Sequence, residues 1–183
     1  MTLIRKILFL GLLLFGILSI LGPPGALRAD EIAQEYQLKA AFLVNFAKFI
    51  TWPPQAFPSD QQEFILCVAG DNPFGAALSN LESKTIGGHP IRVMQVDSLK
   101  KVPPCHLIFV SRSEEANLGQ LASGPGRRAI VTVSDIAGFV KAGGHIEFMI
   151  KGSRLSFVIN HSAMKEQGLQ VSASLLDLAA AVQ

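Results

Sequence analysis

Hydrophobic side chains recur with the period of an α-helix between Tyr36 and Pro54, and they lie on two faces of that helix. One stripe consists of Tyr36, Ala40, Leu43, Val44, Ala47 and Ile50, and the other of Leu38, Phe42, Phe46 and Phe49. A surface helix of an isolated domain usually carries a single apolar stripe. We therefore predict that one stripe packs on the core and the other contacts a partner chain. The polar positions left to meet water are Gln37, Lys39, Asn45 and Lys48.

Four short apolar runs follow this helix, at 64–69, 91–96, 107–110 and 129–133, and they alternate with helix-like segments. The helical segments are expected after the Asp71-Asn72 cap, after Ser111 and over Ser172–Val182. Runs that are apolar without alternation are typical of strands covered on both faces. The alternating runs on either side of Gly152-Ser153 predict an antiparallel hairpin. The pattern predicts an α/β three-layer sandwich with a mixed, mainly parallel sheet and a C-terminal antiparallel hairpin.

The first 29 residues have the layout of a secretory signal peptide. Arg5 and Lys6 precede an apolar run from Ile7 to Leu21, and Ala29 offers a cleavage point. The run is shorter than the roughly 20 residues that a transmembrane helix needs, although an uncleaved anchor is the alternative. We predict a signal peptide over 1–29 and a single domain over 30–183.

Cleavage of that peptide changes the charge balance. It would remove three of the 16 basic residues, which leaves 13 against 14 acidic ones. A nucleic-acid-binding domain would show a basic patch or stripe, so we expect no nucleic-acid partner.

Cys67 and Cys105 both lie in the part of the chain that would be exported. In an oxidising compartment a disulfide is the expected state, and neighbouring strands could bring the two together. Two buried free thiols are the alternative.

No set of residues has the spacing of a catalytic or metal site. The loop Gly70–Gly75 has the glycine spacing of a phosphate loop, but Ala76-Ala77 stands where Lys-Ser/Thr is required. We therefore interpret the loop mainly as a capped turn between a strand and a helix. Asp71, Asn72 and Phe74 of this loop are still the best candidates for a ligand site. The four histidines do not cluster, no Gly-x-Ser-x-Gly elbow is present, and Asp135 is interpreted as a cap. We predict no catalytic residues, no metal and no cofactor, and a protein that is not an enzyme.

Trp52 is either a core anchor or an interface aromatic.

Several segments together resemble the YfiR family of exported proteins. The densest match is Tyr36-x-Leu-Lys-Ala-Ala-Phe-Leu-x-Asn-Phe-x-Lys-Phe-x-x-Trp-Pro, followed by Leu66-Cys67-Val68-x-Gly70-Asp71-Asn72-Pro73-Phe74-Gly75 and Cys105-His106-Leu107-Ile108-Phe109-Val110. Further matches are Thr132-Val133-Ser134-Asp135-x-x-Gly138-Phe139, Gly143-Gly144-x-Ile146-x-Phe148, Ile159-Asn160 and the segment from Gly168 to Ala179. These matches run in order over nearly the whole mature chain.

The resemblance implies a periplasmic repressor that binds the periplasmic sensor domain of an inner-membrane diguanylate cyclase. It would thereby lower cyclic di-GMP signalling and biofilm formation, without inserting into the membrane after the signal peptide is cleaved. The resemblance also implies a homodimer. Cys67 and Cys105 match one disulfide of the family, and the cysteines of a second disulfide found in some members are absent. We assign the contact surface for a partner or dimer to Phe42, Phe46, Phe49 and Trp52. The alternatives are a periplasmic small-molecule sensor acting on another membrane receptor and, far behind it, an uncharacterised hydrolase.

Overall fold

The computed structural model describes residues 24–57, 62–121, 129–152 and 154–183, and of residues 24–29 the backbone alone. The chain separates into two compact units, Met1–Glu35 and Tyr36–Gln183. The predicted signal peptide falls outside the described residues except for the helical backbone of 24–29. The rest of this section concerns the second unit.

The second unit is built on a curled sheet of eight strands, with a separate two-stranded sheet beside it. In chain order, the strands of the described residues are β1 (Ile50–Thr51), β2 (Phe64–Ala69), β3 (Thr85–Ile86), β4 (His89–Val96), β5 (Leu107–Val110), β6 (Val131–Ser134), β7 (Ile146–Lys151), β8 (Arg154–Ile159), β9 (Gln170–Val171) and β10 (Ala181–Val182). The order across the large sheet is β10-β8-β7-β6-β5-β2-β4-β3, and β1 pairs with β9.

The large sheet is mixed and mostly parallel, as the sequence predicts. Five of its neighbouring pairs are parallel. The pairs β3–β4 and β7–β8 are antiparallel, and the second is the predicted hairpin. The α/β fold class is therefore confirmed.

The central strands are covered on both faces. Phe64, Leu66 and Val68 of β2 belong to the hydrophobic cluster under the long helix, and Ile65, Cys67 and Ala69 belong to the cluster on the opposite face. Successive side chains of a strand point to opposite faces, so a strand between two apolar layers must be apolar at every position. This geometry accounts for the unbroken run at 64–69.

From Tyr36 onwards, helix α1 (Pro24–Phe49) covers one face of the sheet with a single stripe rather than two. Lys39, Leu43, Phe46 and Ile50 recur at helical spacing and are all buried, with Ala40, Val44 and Ala47 beside them. Leu38 and Phe49 point to solvent, at 48% and 42% exposure, and Phe42 is half-buried.

Two of the four contact-surface assignments are therefore wrong. Phe46 is completely buried against Phe148 and Phe157, and Trp52 is buried against Phe64. Lys39, which we expected in water, is 1% exposed. Phe46 shares the core side with Leu43 because three residues of an α-helix span little less than one turn.

The remaining helices of the described residues are short, and the one expected over Ser172–Val182 is shorter than the sequence predicts. α2 (Ala76–Ser79), α3 (His161–Glu166) and α4 (Ala173–Leu178) have one to two turns each, and the segment after Ser111 is a 3₁₀ helix over Arg112–Gln120. The helix expected over Ser172–Val182 ends at Leu178, because Ala181 and Val182 pair in parallel with Val158 and Ile159 of β8. An apolar end of a chain can add to a sheet edge as readily as extend a helix, and its sequence period alone does not separate the two.

Candidate functional site

Three parallel strands end side by side and deliver polar residues to one edge of the sheet. Gly70 follows β2, Ser111 and Arg112 follow β5, and Asp135 follows β6. The carboxyl ends of parallel strands are where α/β sheets usually place their functional groups. Tyr36 and Lys39 of α1 reach the same edge from above, because both contact Asp135.

Asp135 is the centre of this cluster. Its Oδ2 accepts hydrogen bonds from Lys39 Nζ at 2.5 Å and from the Tyr36 hydroxyl at 2.8 Å, and the Arg112 guanidinium lies 3.4 Å away. The Lys39 ammonium also lies 4.3 Å from the centre of the Tyr36 ring, in cation–π geometry. The side chains of Lys39 and Asp135 are 1% and 2% exposed, whereas that of Arg112 is 67% exposed.

These contacts keep Asp135 ionised. Burial by itself raises the pKa of a carboxyl, but the hydrogen bond and charge of Lys39, the Tyr36 hydroxyl and the Arg112 charge outweigh it and lower the pKa of Asp135 below its usual value. A carboxylate held in this way is a weak base. The cluster therefore joins α1 to the carboxyl edge of the sheet, and it has the properties of a structural ion pair rather than of a proton-transfer site.

The predicted ligand loop lies beside this cluster. The amide N–H of Asp71 donates to Ser113 Oγ, and that of Phe74 donates to Asn72 Oδ1. Gly70 has a φ of 78°, and a Cβ there would approach Ser113 Oγ to 2.2 Å, so the turn requires glycine. Asp71 and Asn72 are exposed.

Phe74 does not belong to an exposed ligand loop. It is buried between Tyr36 and Phe109, with ring centroids 5.4 Å and 4.7 Å away. Its assignment as a ligand residue is therefore wrong, because the apolar ring fills the space between α1 and β5. The assignment of Asp71 and Asn72 stays a prediction.

The disulfide lies on the face of β2 opposite α1. Cys67 and Cys105 are joined, with Cα atoms 6.2 Å apart, which confirms the predicted bridge. It ties the centre of β2 to the segment before β5. The next residue, His106, sits between two aromatic rings: Phe57 at 4.2 Å and Phe64 at 5.0 Å between centroids, both nearly parallel to the imidazole.

Two histidines play the same backbone role at the amino edge of the sheet. His106 precedes β5, and its Nδ1 accepts the N–H of Ile65 in β2 at 2.8 Å. His145 precedes β7, and its Nδ1 accepts the N–H of Thr132 in β6 at 3.1 Å. Each imidazole supplies an acceptor where the parallel pairing begins. Burial lowers the pKa of His106, and it lowers the pKa of His145 to about 4.

The outward face of α1 presents an apolar surface. Leu38 and Phe49 are exposed on the same side, about three helical turns apart. Between them, the Phe42 ring packs on Phe148 and Phe157 of the hairpin, with distances of 6.0 Å and 5.8 Å between ring centroids. Scattered exposed apolar residues are ordinary, but aligned ones beside a half-buried aromatic are more typical of a contact surface.

Sequence reasoning found the apolar face and the disulfide but missed the ion pair. Lys39 has the spacing of the buried stripe, at positions four, seven and eleven residues before Leu43, Phe46 and Ile50. A lysine in register with a core stripe is a signal for a buried partner. That partner, Asp135, is 96 residues away, so the pair becomes visible only in the fold.

Among the residues that the structure describes, no three His, Cys, Asp or Glu side chains are grouped so that they could hold a metal ion. The described helices include none that is long and apolar enough to cross a membrane.

Comparison with known proteins agrees with the sequence resemblance. No curated protein matches the chain. A family model described as YfiR/HmsC-like matches residues 36–180, a range that contains α1 from Tyr36 onwards, the disulfide and the Asp135 cluster. Because that model spans most of the chain, this protein belongs to the YfiR/HmsC-like family.

Proposed function

We propose that this protein is an exported regulator that represses a diguanylate cyclase of the inner membrane by binding the cyclase's periplasmic sensor domain. Membership of the YfiR/HmsC-like family supports a regulator of cyclic di-GMP signalling. The Cys67–Cys105 disulfide supports an oxidising compartment such as the periplasm. Repression would lower cyclic di-GMP and biofilm formation.

The observation that carries a binding role is the outward face of α1. Leu38 and Phe49 are large apolar side chains exposed on one side of the helix, and Phe42 between them is only half covered. Aromatic and aliphatic side chains of this kind supply most of the binding free energy when a partner desolvates them. In this proposal, the outward face of α1 contacts the sensor domain.

The test uses single charged substitutions on α1. Leu38→Asp and Phe49→Asp place a charge in the proposed interface without entering the core. Gln37→Asp is the matched control, because Gln37 is exposed on the same helix and the substitution adds the same charge. Binding of the purified proteins to the isolated periplasmic sensor domain is measured, together with cellular cyclic di-GMP.

We expect the two interface variants to lose more than about tenfold in affinity, which corresponds to about 1.4 kcal/mol, and to release cyclase activity. The control should bind as the unaltered protein does. A deletion strain with unchanged cyclic di-GMP, or an unaltered protein that does not bind the sensor domain, would contradict the proposal.

The homodimer implied by the resemblance remains a separate prediction. Sedimentation of the same variants shows whether the outward face of α1 binds the sensor domain or a second copy of this chain. If Leu38→Asp and Phe49→Asp dissociate a dimer but still repress the cyclase, the face serves self-association instead.

A further inference from the structure

His106 connects three segments through its imidazole ring. Nδ1 accepts the N–H of Ile65 at 2.8 Å, so the ring proton is on Nε2, which donates to the carbonyl of Ala56 at 3.0 Å. The carbonyl of His106 accepts from Trp52 Nε1 at 3.2 Å. The segment from Trp52 to Phe57, which leads from α1 and β1 towards β2, is thus held by one neutral histidine.

This arrangement is compatible with only one charge state. A second proton must bind at Nδ1, where the N–H of Ile65 already points. Two donors would then face each other at hydrogen-bond distance inside a buried site, and an unsatisfied buried polar group is costly. The imidazolium can form only if the ring or the Ile65 amide moves away.

Among the residues that the structure describes, none supplies a counter-charge to His106. His89 lies on the far side of the Phe57 ring, stacked at 4.6 Å between centroids, and its charge opposes protonation of His106. At the start of β2, Glu63 is paired with Arg92 of β4 at 3.3 Å. The other contacts of the ring are Phe57, Phe64, the Ile65 amide and the Ala56 carbonyl, all uncharged. Cys105, the preceding residue, is in the disulfide and does not titrate.

We propose that His106 is an acid-sensitive latch: when it is neutral it holds the Trp52–Phe57 segment against the start of β2, and when it is protonated it releases that segment. Burial and the neighbouring His89 lower the pKa of His106 and outweigh the hydrogen bond to the Ala56 carbonyl, so release is centred at a lower pH than that of an ordinary histidine. Because the segment starts three residues after Phe49, release loosens the end of α1. The latch does not depend on the proposed cyclase partner.

Trp52 is an intrinsic fluorescence probe of this segment, because it is the only tryptophan in the sequence and its indole N–H donates to the His106 carbonyl. We would titrate Trp52 fluorescence of the full mature chain from pH 8 to pH 4.5. Far-UV circular dichroism would be followed in parallel, and backbone amide hydrogen exchange would be measured at pH 8 and at pH 4.5. We expect a reversible change of fluorescence with its midpoint below about 6.5, while the secondary structure persists. The protection factor of the Ile65 amide should fall by up to about tenfold per pH unit in that range.

His106→Asn keeps an acceptor near the Ile65 amide but cannot gain the proton, so the transition should disappear. His89→Asn removes the opposing charge and should move the midpoint to higher pH, which keeps the proposal testable if His106→Asn does not fold. His161→Asn, at the start of α3, is the control and should leave the midpoint unchanged.

The proposal is overturned if the unaltered protein shows no Trp52 transition while it remains folded. It is also overturned if His106→Asn keeps the transition at the same midpoint, or if His89→Asn leaves the midpoint where it was.

Discussion

The ammonium of Lys39 lies 2.5 Å from Oδ2 of Asp135, and the two side chains are 1% and 2% exposed. This pair joins the middle of α1 to the end of β6, across 96 residues of sequence. Removing one partner of a buried pair leaves the other without compensation, which is far more costly than losing a surface ion pair. The position of α1, and with it the outward face that we assign to binding, therefore depends on this contact.

Replacing Lys39 by methionine should lower the free energy of unfolding by about 3 kcal/mol or more, because Asp135 stays buried with only Tyr36 and the exposed Arg112. The double variant with Asp135→Asn should lose less than the sum of the two single variants. Urea unfolding of the four proteins measures this coupling. Lys48→Met, on the exposed side of α1, should change stability by less than about 0.5 kcal/mol. Strict additivity of Lys39→Met and Asp135→Asn would contradict the pairing.

Truncation of Phe46 should destabilise the protein far more than truncation of Phe49, although both are phenylalanines of α1. Phe46→Ala opens a cavity against Phe148 and Phe157 and should cost about 4 kcal/mol. Phe49→Ala removes a side chain that is 42% exposed and should cost less than about 1 kcal/mol. Thermal and urea unfolding of the two variants check the difference. Equal losses would mean that the burial of the two positions has been assigned incorrectly.

Breaking the Cys67–Cys105 disulfide should destabilise the protein by about 4 kcal/mol in the chain-entropy model, given a sequence separation of 38 residues. The measurement is urea unfolding with and without a reductant. A variant with both cysteines changed to alanine should show the lower stability in both conditions and no response to the reductant. If the unaltered protein unfolds at the same urea concentration under both conditions, the bridge does not contribute in this way.

Acid should destabilise the fold through His145, whose burial lowers its pKa to about 4. A histidine with a lowered pKa in the folded state contributes stability that is complete above the unfolded value of about 6.5. That stability is lost as the pH falls from there towards 4. We expect the free energy of unfolding to drop by about 3 kcal/mol over this range from His145 alone.

His145→Asn is the test of this assignment. It should be less stable than the unaltered protein at pH 7.5, because the smaller side chain leaves part of the buried site unfilled even where its amide oxygen accepts the Thr132 N–H. It should also lose less stability on acidification. Parallel pH profiles for the two proteins would show that another group carries the acid dependence.

The sequence by itself determined the sheet and the bridge, because their signals are local or follow from the compartment. Short unbroken apolar runs bounded by turn residues are typical of strands covered on both faces, and the alternation around Gly152-Ser153 is typical of a hairpin with one apolar face. The sequence predicted the bridge from the oxidising compartment and from two apolar runs that could be neighbours, and the structure shows that β2 and β5 are paired and that the bridge is present.

The tertiary structure decided which side of each element is covered, since that depends on residues far away in the chain. It placed Phe46 and Trp52 in the core, and it turned the last apolar residues into the edge strand β10. It also buried Lys39, a residue that belongs in water unless a carboxylate such as Asp135 is brought to it. A periodic pattern shows that a surface is apolar or polar, but only the packed chain determines which partner that surface receives.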